Sequence, residues 1–581
     1  MSLRVLPTIL APGEAEMAIL ERLDEGIEKH AQGDVWAAEK VYLAVLREHP
    51  GHPRATALMG LLSHIKGEHR RALALFKQAT RDDPNDAFVH VNRGAVLFSL
   101  GKIADAAEAY LRAAEAWPGN AVAYANLGVA LLELFRHEEA TYAVTRAVEL
   151  DPDHYDYGYL RPYALDLASS TTPESALAAR RLFNDTHVAP RMVGAPPPLV
   201  SRAPKKRLRV GYVSSDFYQH SAIHVFGGLL LNHDPERVEV YCYGSVEKAD
   251  DITKQLRERV AHYRDINGWS ADKLALAVRK DKVDILVDLS TYSKGNHLRM
   301  FSRKPAPIQV TGWGYATGAG LDCIDYLMAD AITVPPEAEG WYHERIVRLP
   351  SVVSWMRPNY LVDVAHVHAA FGRPFTFGVF NRTQKITREC VAAWAEILKR
   401  APTSRLVVKS PQLDHKQVRD ALKALFVAEG AYYADGPASP GGKRPTRVAI
   451  FGKSPHADQM AAHWPIDLML DPFPAGGGVS TAEALWMGTP VLTLLGKRMP
   501  ERIASSLTTA CGLGEFVARS RAEYVEKAVR LAHDPAPLIA IRRDLRARVE
   551  AAPFAQLRAY AAAVEDAYVE MWGRYLAESA A

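Results

Sequence analysis

At 581 residues, and at about 100 to 200 residues per domain, the chain has the length of three or four domains with cores of their own. Hydrophobic residues make up 48% and charged residues 24%, a globular composition that excludes collagen, coiled coil and wholesale disorder. Seventy Lys plus Arg stand against 67 Asp plus Glu, a net charge of +3, too balanced for a dedicated nucleic-acid surface but compatible with a local basic site for a phosphorylated small molecule.

At the N-terminus a short apolar run is interrupted by Glu14 and Glu16, so neither a signal peptide nor a membrane span is expected. Cys242, Cys323, Cys390 and Cys511 are widely spaced with no CxxC pair, which indicates neither a zinc site nor a disulfide framework. A reducing, cytoplasmic setting without membrane association is the expectation.

A repeat follows. Gly26, Gly60, Gly94 and Gly128 are each 34 apart, as are Ala38, Ala72, Ala106 and Ala140, and Pro50, Pro84, Pro118 and Pro152. Three columns locked to that period are the tetratricopeptide signature of paired helices. Gly at position 8 and Ala at position 20 let helices A and B approach, while Tyr42, Phe76, Tyr110 and Val144 at position 24 fill the space between them. Pro at position 32 stops helix B. The repeats span about 19–52, 53–86, 87–120 and 121–154, and a fifth unit, 155–188, keeps aromatics but loses the Gly and Ala columns. The solenoid's concave face suits protein or peptide partners, and Asn92 and Asn126, both at position 6, are candidates to hydrogen-bond a partner's backbone.

The domain organisation is then a solenoid over 1–189, a proline-rich connector over 190–206, and two α/β domains over 207–364 and 365–581. The connector, PRMVGAPPPLVSRAPKK, reads as stiff and polyproline-like. Strands at 208–217, 238–244 and 283–290 alternate with amphipathic segments, and a second series runs through 375–382, 404–411, 446–452, 467–474 and 490–496. That rhythm predicts two Rossmann-like domains whose ligand crevices lie at the carboxyl ends of their strands.

Three stretches carry the chemistry. In DPFPAGGGVSTAEALWMGTP, from Asp471 to Pro490, a strand ends and Gly476, Gly477 and Gly478 open a helix whose first turn holds Ser480, Thr481 and Glu483. Free N–H groups, two hydroxyls and the positive helix end suit a diphosphate, and Glu483 suits a ribose diol. By itself the stretch also reads as a Gly-rich turn with a first-turn Glu favoured by the helix dipole; with no GxxxxGK[ST] it is not a P-loop. FNRTQK, after the first strand of the second domain, places Lys385 where a point cation could reach a leaving diphosphate, with Asn381, Arg382 and Gln384 beside it. SSDFYQHSAIH, after the first strand of the first domain, brings Asp216, His220 and His224 to its crevice. The two His suit acid–base or substrate-binding work better than zinc, because no HExxH and no third ligand is near.

Taken together, the repeats, RVGYVSSDF followed by a His, RKPAPIQV, GWGYATGAG, FNRTQK with WAEILKRAP, and GGGVSTAEALWMGTP resemble the O-linked N-acetylglucosamine transferases of nuclei and cytosol over nearly the whole chain. The resemblance implies a multidomain protein, an α-helical tetratricopeptide solenoid followed by a GT-B glycosyltransferase. It implies UDP-GlcNAc as donor, inverting transfer to Ser or Thr of proteins, release of UDP, and no metal or other cofactor. It also implies His220 in the catalytic cleft, Lys385 on the diphosphate, Ser480 and Thr481 on phosphate and Glu483 on ribose. Pro305 to Gln309 and Gly314 to Gly318, including Tyr315, would line the same cleft. Where animal members read NGHTT this chain has Gly478 and Val479, His456 and Gln459 stand at the base-side positions, and the long insertion between the catalytic domains is missing, as in a bacterial member. GDP-fucose-dependent transfer, or a repeat scaffold that only senses a sugar nucleotide, are the alternatives.

Overall fold

The computed structural model describes residues 14–192, 207–360, 362–364, 372–433 and 446–580. Most of the connector, 193–206, therefore lies outside the described residues, as does the boundary segment 365–371. The chain divides into two compact units, the first running through Pro152 and including His415–Ala421, the second formed by Asp153–Asp414 and the chain from Leu422 onward.

The first unit contains four helix pairs: α1 (Glu14–Ala31) with α2 (Val35–Glu48), α3 (Pro53–Ile65) with α4 (His69–Asp82), α5 (Ala87–Ser99) with α6 (Ile103–Ala116), and α7 (Ala121–Glu133) with α8 (His137–Leu150). The glycine column is enforced by close approach. A Cβ at Gly26 would stand 2.5 Å from the Tyr42 ring, at Gly60 3.0 Å from Phe76, at Gly94 2.5 Å from Tyr110 and at Gly128 2.4 Å from Val144. The alanine column is fully buried in the same crossings, so both columns are packing requirements. Each periodic proline falls two residues beyond a B helix, and Asp86 and Asn120 cap the A helices that follow two of them. Asn92 is buried and its Nδ2 donates to the Phe88 carbonyl of its own helix, 2.8 Å away. That bond uses one N–H of its amide, while Asn126 is half-buried.

The second unit begins with the fifth helical pair, α9 (Tyr155–Leu167) and α10 (Pro173–Phe183). Pro162 takes the place of the column glycine inside α9. Its close approach moves one turn earlier, to Gly158, whose Cβ would meet His187 at 2.4 Å and Phe183 at 3.0 Å. Phe183 and Val188 enter the core of the first α/β domain, and Tyr155, Tyr159 and Tyr163 pack against it. Aromatic residues thus replace small ones because this pair seats on a sheet rather than on another repeat.

Two parallel sheets follow. The first has the order β3-β2-β1-β4-β5-β6-β7, from β1 (Leu208–Ser214), β2 (Val238–Gly244), β3 (His262–Asp265), β4 (Ile285–Asp288), β5 (Ile308–Thr311), β6 (Tyr326–Ala329) and β7 (Arg345–Arg348). The second has the order β10-β9-β8-β11-β12-β13, from β8 (Thr376–Val379), β9 (Arg405–Lys409), β10 (Val448–Phe451), β11 (Leu468–Leu470), β12 (Val491–Leu494) and β13 (Val517–Ala518). Both reverse direction beside their first strand, between β1 and β4 and between β8 and β11, and that switch point is where a doubly wound sheet opens a crevice. Each central strand is an apolar, buried run, as helices on both faces require. The segment 365–581 divides between the sheets. Its last helix, Leu557–Ala580, returns to the first domain, where Tyr560 Oη accepts from Trp313 Nε1 at 2.7 Å, Tyr568 meets Tyr212 at 3.0 Å and Glu565 pairs with His233 at 2.9 Å.

Candidate active site

The two switch points supply the site. From the end of β8 the chain enters Phe380 and the short 3-10 turn Thr383–Lys385; from the end of β11 it enters Asp471 and the glycine loop, which opens into the helix Val479–Trp486. Asn381 Nδ2 donates to Ser480 Oγ at 3.0 Å, joining the two loops. A Cβ on Gly477 would lie 2.5 Å from Thr481 Oγ1, 2.7 Å from Ser480 Oγ and 2.9 Å from Asn381 Nδ2, so three polar groups converge on its missing side chain. The helix has no side-chain cap, and the N–H groups of Val479, Ser480 and Thr481 take no acceptor among the described residues. They point at whatever binds there.

The glycines themselves donate elsewhere. Gly476 N–H goes to the Pro500 carbonyl at 3.0 Å and Gly477 N–H to Asp471 Oδ1 at 2.8 Å. The donors left open at this loop are therefore the helix-start N–H groups, and the N–H groups of Gly476 and Gly477 hold the loop. Asp471 is buried and also accepts from Thr493 Oγ1 at 3.1 Å. Burial pushes its carboxyl up to about 7, against the Gly477 N–H and the Lys385 ammonium. Lys385 Nζ donates to the Gly476 carbonyl; burial, helped by the Arg382 guanidinium, pulls its ammonium down to about 8. Asp471 stands in the sequence as a mere strand end, although an acid between an apolar strand and a glycine loop was the available signal.

From the helix Val479–Trp486, Glu483 Oε1 pairs with His456 Nε2 at 2.8 Å, and His456 Nδ1 meets the Tyr360 hydroxyl. The bond to Glu483 raises the His456 pKa against the cost of burial. Across the crevice, the His224 ring of the first domain stacks on His456 with centroids 5.7 Å apart; burial lowers its pKa. Tyr360 carries no motif in the sequence and is found only through this contact.

The first domain also contributes Asp216 and His220, Oδ1 to Nδ1 3.4 Å. Burial raises the carboxyl and lowers the imidazole. Arg382 of the second domain acts electrostatically on Asp216, His220 and Lys385 alike, so its guanidinium belongs to the positive field of the crevice. Three further residues expected at the cleft make contacts within the protein. Gln309 is fully buried in β5, its amide donating to the carbonyls of Phe301 and Cys323 at 2.9 and 2.8 Å. Tyr315 sends its hydroxyl to Asp166 of α9 at 3.0 Å. Gly314 serves close packing at the end of β4, since a Cβ there would lie 1.8 Å from the Leu289 carbonyl oxygen.

All four cysteines are buried and free. Among the described residues no three His, Cys, Asp or Glu side chains cluster as metal ligands, and no helix is long and apolar enough to cross a membrane.

The model of glycosyl transferase family 41 matches residues 197–357 and 372–564. The chain belongs to that family. A tetratricopeptide-repeat model matches 23–87 and 91–155. The family's SPINDLY protein of Solanum lycopersicum, a probable UDP-N-acetylglucosamine–peptide N-acetylglucosaminyltransferase, is 33% identical over 73% of this chain and 45% of its own. The SEC protein of Arabidopsis thaliana, with the same description, is 31% identical over 63% of this chain and 37% of its own. The chain thus spans less than half the length of these curated relatives. A solved structure of a mutant Thermobaculum terrenum O-GlcNAc transferase is similar across 98% of this chain and 100% of its own, with a TM-score of 0.78 and 29% identity.

Proposed function

We propose that this family member transfers N-acetylglucosamine from UDP-GlcNAc to Ser or Thr hydroxyls of proteins, without a metal and with inversion at the anomeric carbon. The observation that carries this reading is the joining of the Lys385 loop to the glycine loop that opens the helix at Val479, through Lys385 on the Gly476 carbonyl and Asn381 on Ser480 Oγ, one loop from each side of the second sheet's switch point. The diphosphate sits on the helix-start N–H groups and hydroxyls, and Lys385 exchanges the Gly476 carbonyl for a phosphate oxygen. Glu483, held by His456, takes the ribose hydroxyls.

The acceptor oxygen attacks the anomeric carbon as the bond to the diphosphate oxygen breaks. UDP leaves with the bonding pair, and Lys385, Arg382 and the helix start stabilise the charge that develops on it. His220 takes the acceptor proton. Burial lowers its pKa, which keeps the imidazole neutral and able to accept near pH 7. The repeats supply a concave surface for the protein acceptor, with Asn126 as one backbone partner. The reading places the reaction in the cytoplasm.

UDP should raise the melting temperature in EDTA as much as in Mg²⁺, and incubation with UDP-GlcNAc and a protein acceptor should yield N-acetylhexosamine on Ser or Thr, read by mass spectrometry. Loss of the UDP shift in EDTA would overturn the metal-free reading. A larger shift with GDP would move the donor to a GDP-sugar, and UDP binding without transfer over many acceptors would make the chain a sensor.

A further inference from the structure

The fifth helical pair does more than end the solenoid. Tyr163 of α9 donates its hydroxyl to Gln384 Oε1 at 2.6 Å, and Gln384 is the immediate neighbour of Lys385 in the Thr383–Lys385 turn. The Tyr163 ring lies 5.6 Å from that of Tyr315, which in turn donates to Asp166. Asp166, one turn along α9 from Tyr163 and 1% exposed, accepts from Arg180 Nη2 at 2.7 and 2.8 Å and approaches Arg498 Nη1 at 3.5 Å. Arg180 also donates to the Gly318 carbonyl and Thr317 Oγ1 of the first domain at 2.7 and 2.6 Å. Arg498, from the loop after β12, reaches the Leu165 carbonyl at 3.1 Å. A buried carboxylate between two guanidiniums is tolerated only where its partners are all in place, so this junction holds α9 in one position against both α/β domains.

We propose that the fifth helical pair is part of the framework of the transferase site, with Tyr163 a positioning residue that fixes the Thr383–Lys385 turn and so aims Lys385. The proposal rests on Lys385 being the diphosphate-binding cation, but its geometry needs no donor or acceptor. The Asp166 junction anchors α9, and Tyr163 carries that anchorage across to the second domain's first loop. Without the hydroxyl, the turn loses its tether to α9 and Nζ gains water.

The test is competitive acetylation of Lys385 in the full-length protein as a function of pH, quantified by mass spectrometry. Tyr163→Phe and Gln384→Met should each raise the Lys385 titration midpoint by about one pH unit, as a buried ammonium regains solvent. The double variant should move no further than Gln384→Met alone, because with Gln384 replaced the Tyr163 hydroxyl has no amide left to hold. Tyr159→Phe, one turn earlier in α9, should leave the midpoint unchanged. Tyr163→Phe titrating like the wild type, or Tyr159→Phe moving Lys385 equally, would overturn the proposal. If Tyr163→Phe lowers the melting temperature, Gln384→Met decides from the other side of the bond. Acetylation is read without turnover, so a chain that transfers no sugar still answers it. Failure of UDP to protect Lys385 in the wild type would count against the diphosphate reading while the Tyr163 comparison stands.

Discussion

Lys385 is held as a partly desolvated ammonium against a carbonyl, with Arg382 and the carboxyl of Asp471 close enough to bias it in opposite directions. A cation so placed matters most when charge develops on a leaving group. Lys385→Ala should therefore lower kcat by about 10²- to 10³-fold, the range for loss of one preorganised charge-stabilising group, while the UDP-induced melting shift falls much less. Lys385→Arg should restore little, because a planar fork replaces a compact charge. Steady-state kinetics beside thermal shifts separate the two effects. Free Lys385 loses its proton near pH 8, whereas a bound diphosphate favours the charged form and raises that value. UDP affinity should then be constant below about pH 7 and weaken as pH rises through 8 and beyond; calorimetric titration across pH 6.5 to 9.5 would show it, and a flat profile would contradict it.

At the scale of the element, two glycine sets do different work. Gly477 leaves the space in which Thr481, Ser480 and Asn381 converge, so Gly477→Ala should displace those groups and cut UDP affinity by about tenfold, equivalent to about 1.4 kcal/mol. The melting temperature of the ligand-free protein should change little. Gly94 faces Tyr110 across a helix crossing, and Gly94→Val should destabilise the solenoid by about 1–3 kcal/mol through overpacking. An earlier helical transition by circular dichroism, with UDP binding intact, is the expected pattern. The strands also sort by type. Apolar β11, and β4, apolar up to its terminal Asp288, were legible, whereas β3 and β7, HYRD and RIVR with exposed ends, were not, because sheet-edge strands need no continuous apolar run.

For the whole molecule, burial leaves several histidines neutral. His187, His297 and His463 are each pushed down to about 4, while in the unfolded chain a histidine titrates near 6.5. As pH falls from about 6.5 toward 4 the unfolded chain takes up protons that the native state refuses, and stability is lost over that window. Asp471, raised to about 7, and the raised carboxyls of Asp24, Asp216 and Asp288 act in the opposite sense, gaining on acidification, whereas the gain at His456, raised by Glu483, is complete by about pH 6.5. His30, His64, His220 and His224 are lowered as well, and these seven histidines outnumber the four carboxyls. The melting temperature should thus fall steadily below pH 6.5; a profile flat to pH 4.5 would show that these rings are not held neutral. Local unfolding of one unit would appear as a second transition, so the comparison is made on the full melting curve.

What the sequence determined by itself is what repeats or alternates locally. The 34-residue ruler specifies the helix pairs, their crossings and their breaks, because each column answers to a contact inside one repeat. Apolar runs followed by loops rich in Gly, Lys and His located both switch points, since a doubly wound sheet places its ligands just past its strand ends. The tertiary structure alone decided how individual polar groups are spent. Gln309 and Asn92 close hydrogen bonds in their own surroundings, Asp471 takes the Gly477 N–H, and Tyr163 meets Gln384 from 221 residues away. The last helix joins the first sheet through Tyr560, Tyr568 and Glu565. A buried donor or acceptor must be satisfied by whatever the fold brings within about 3 Å, and no local period records which distant residue that is.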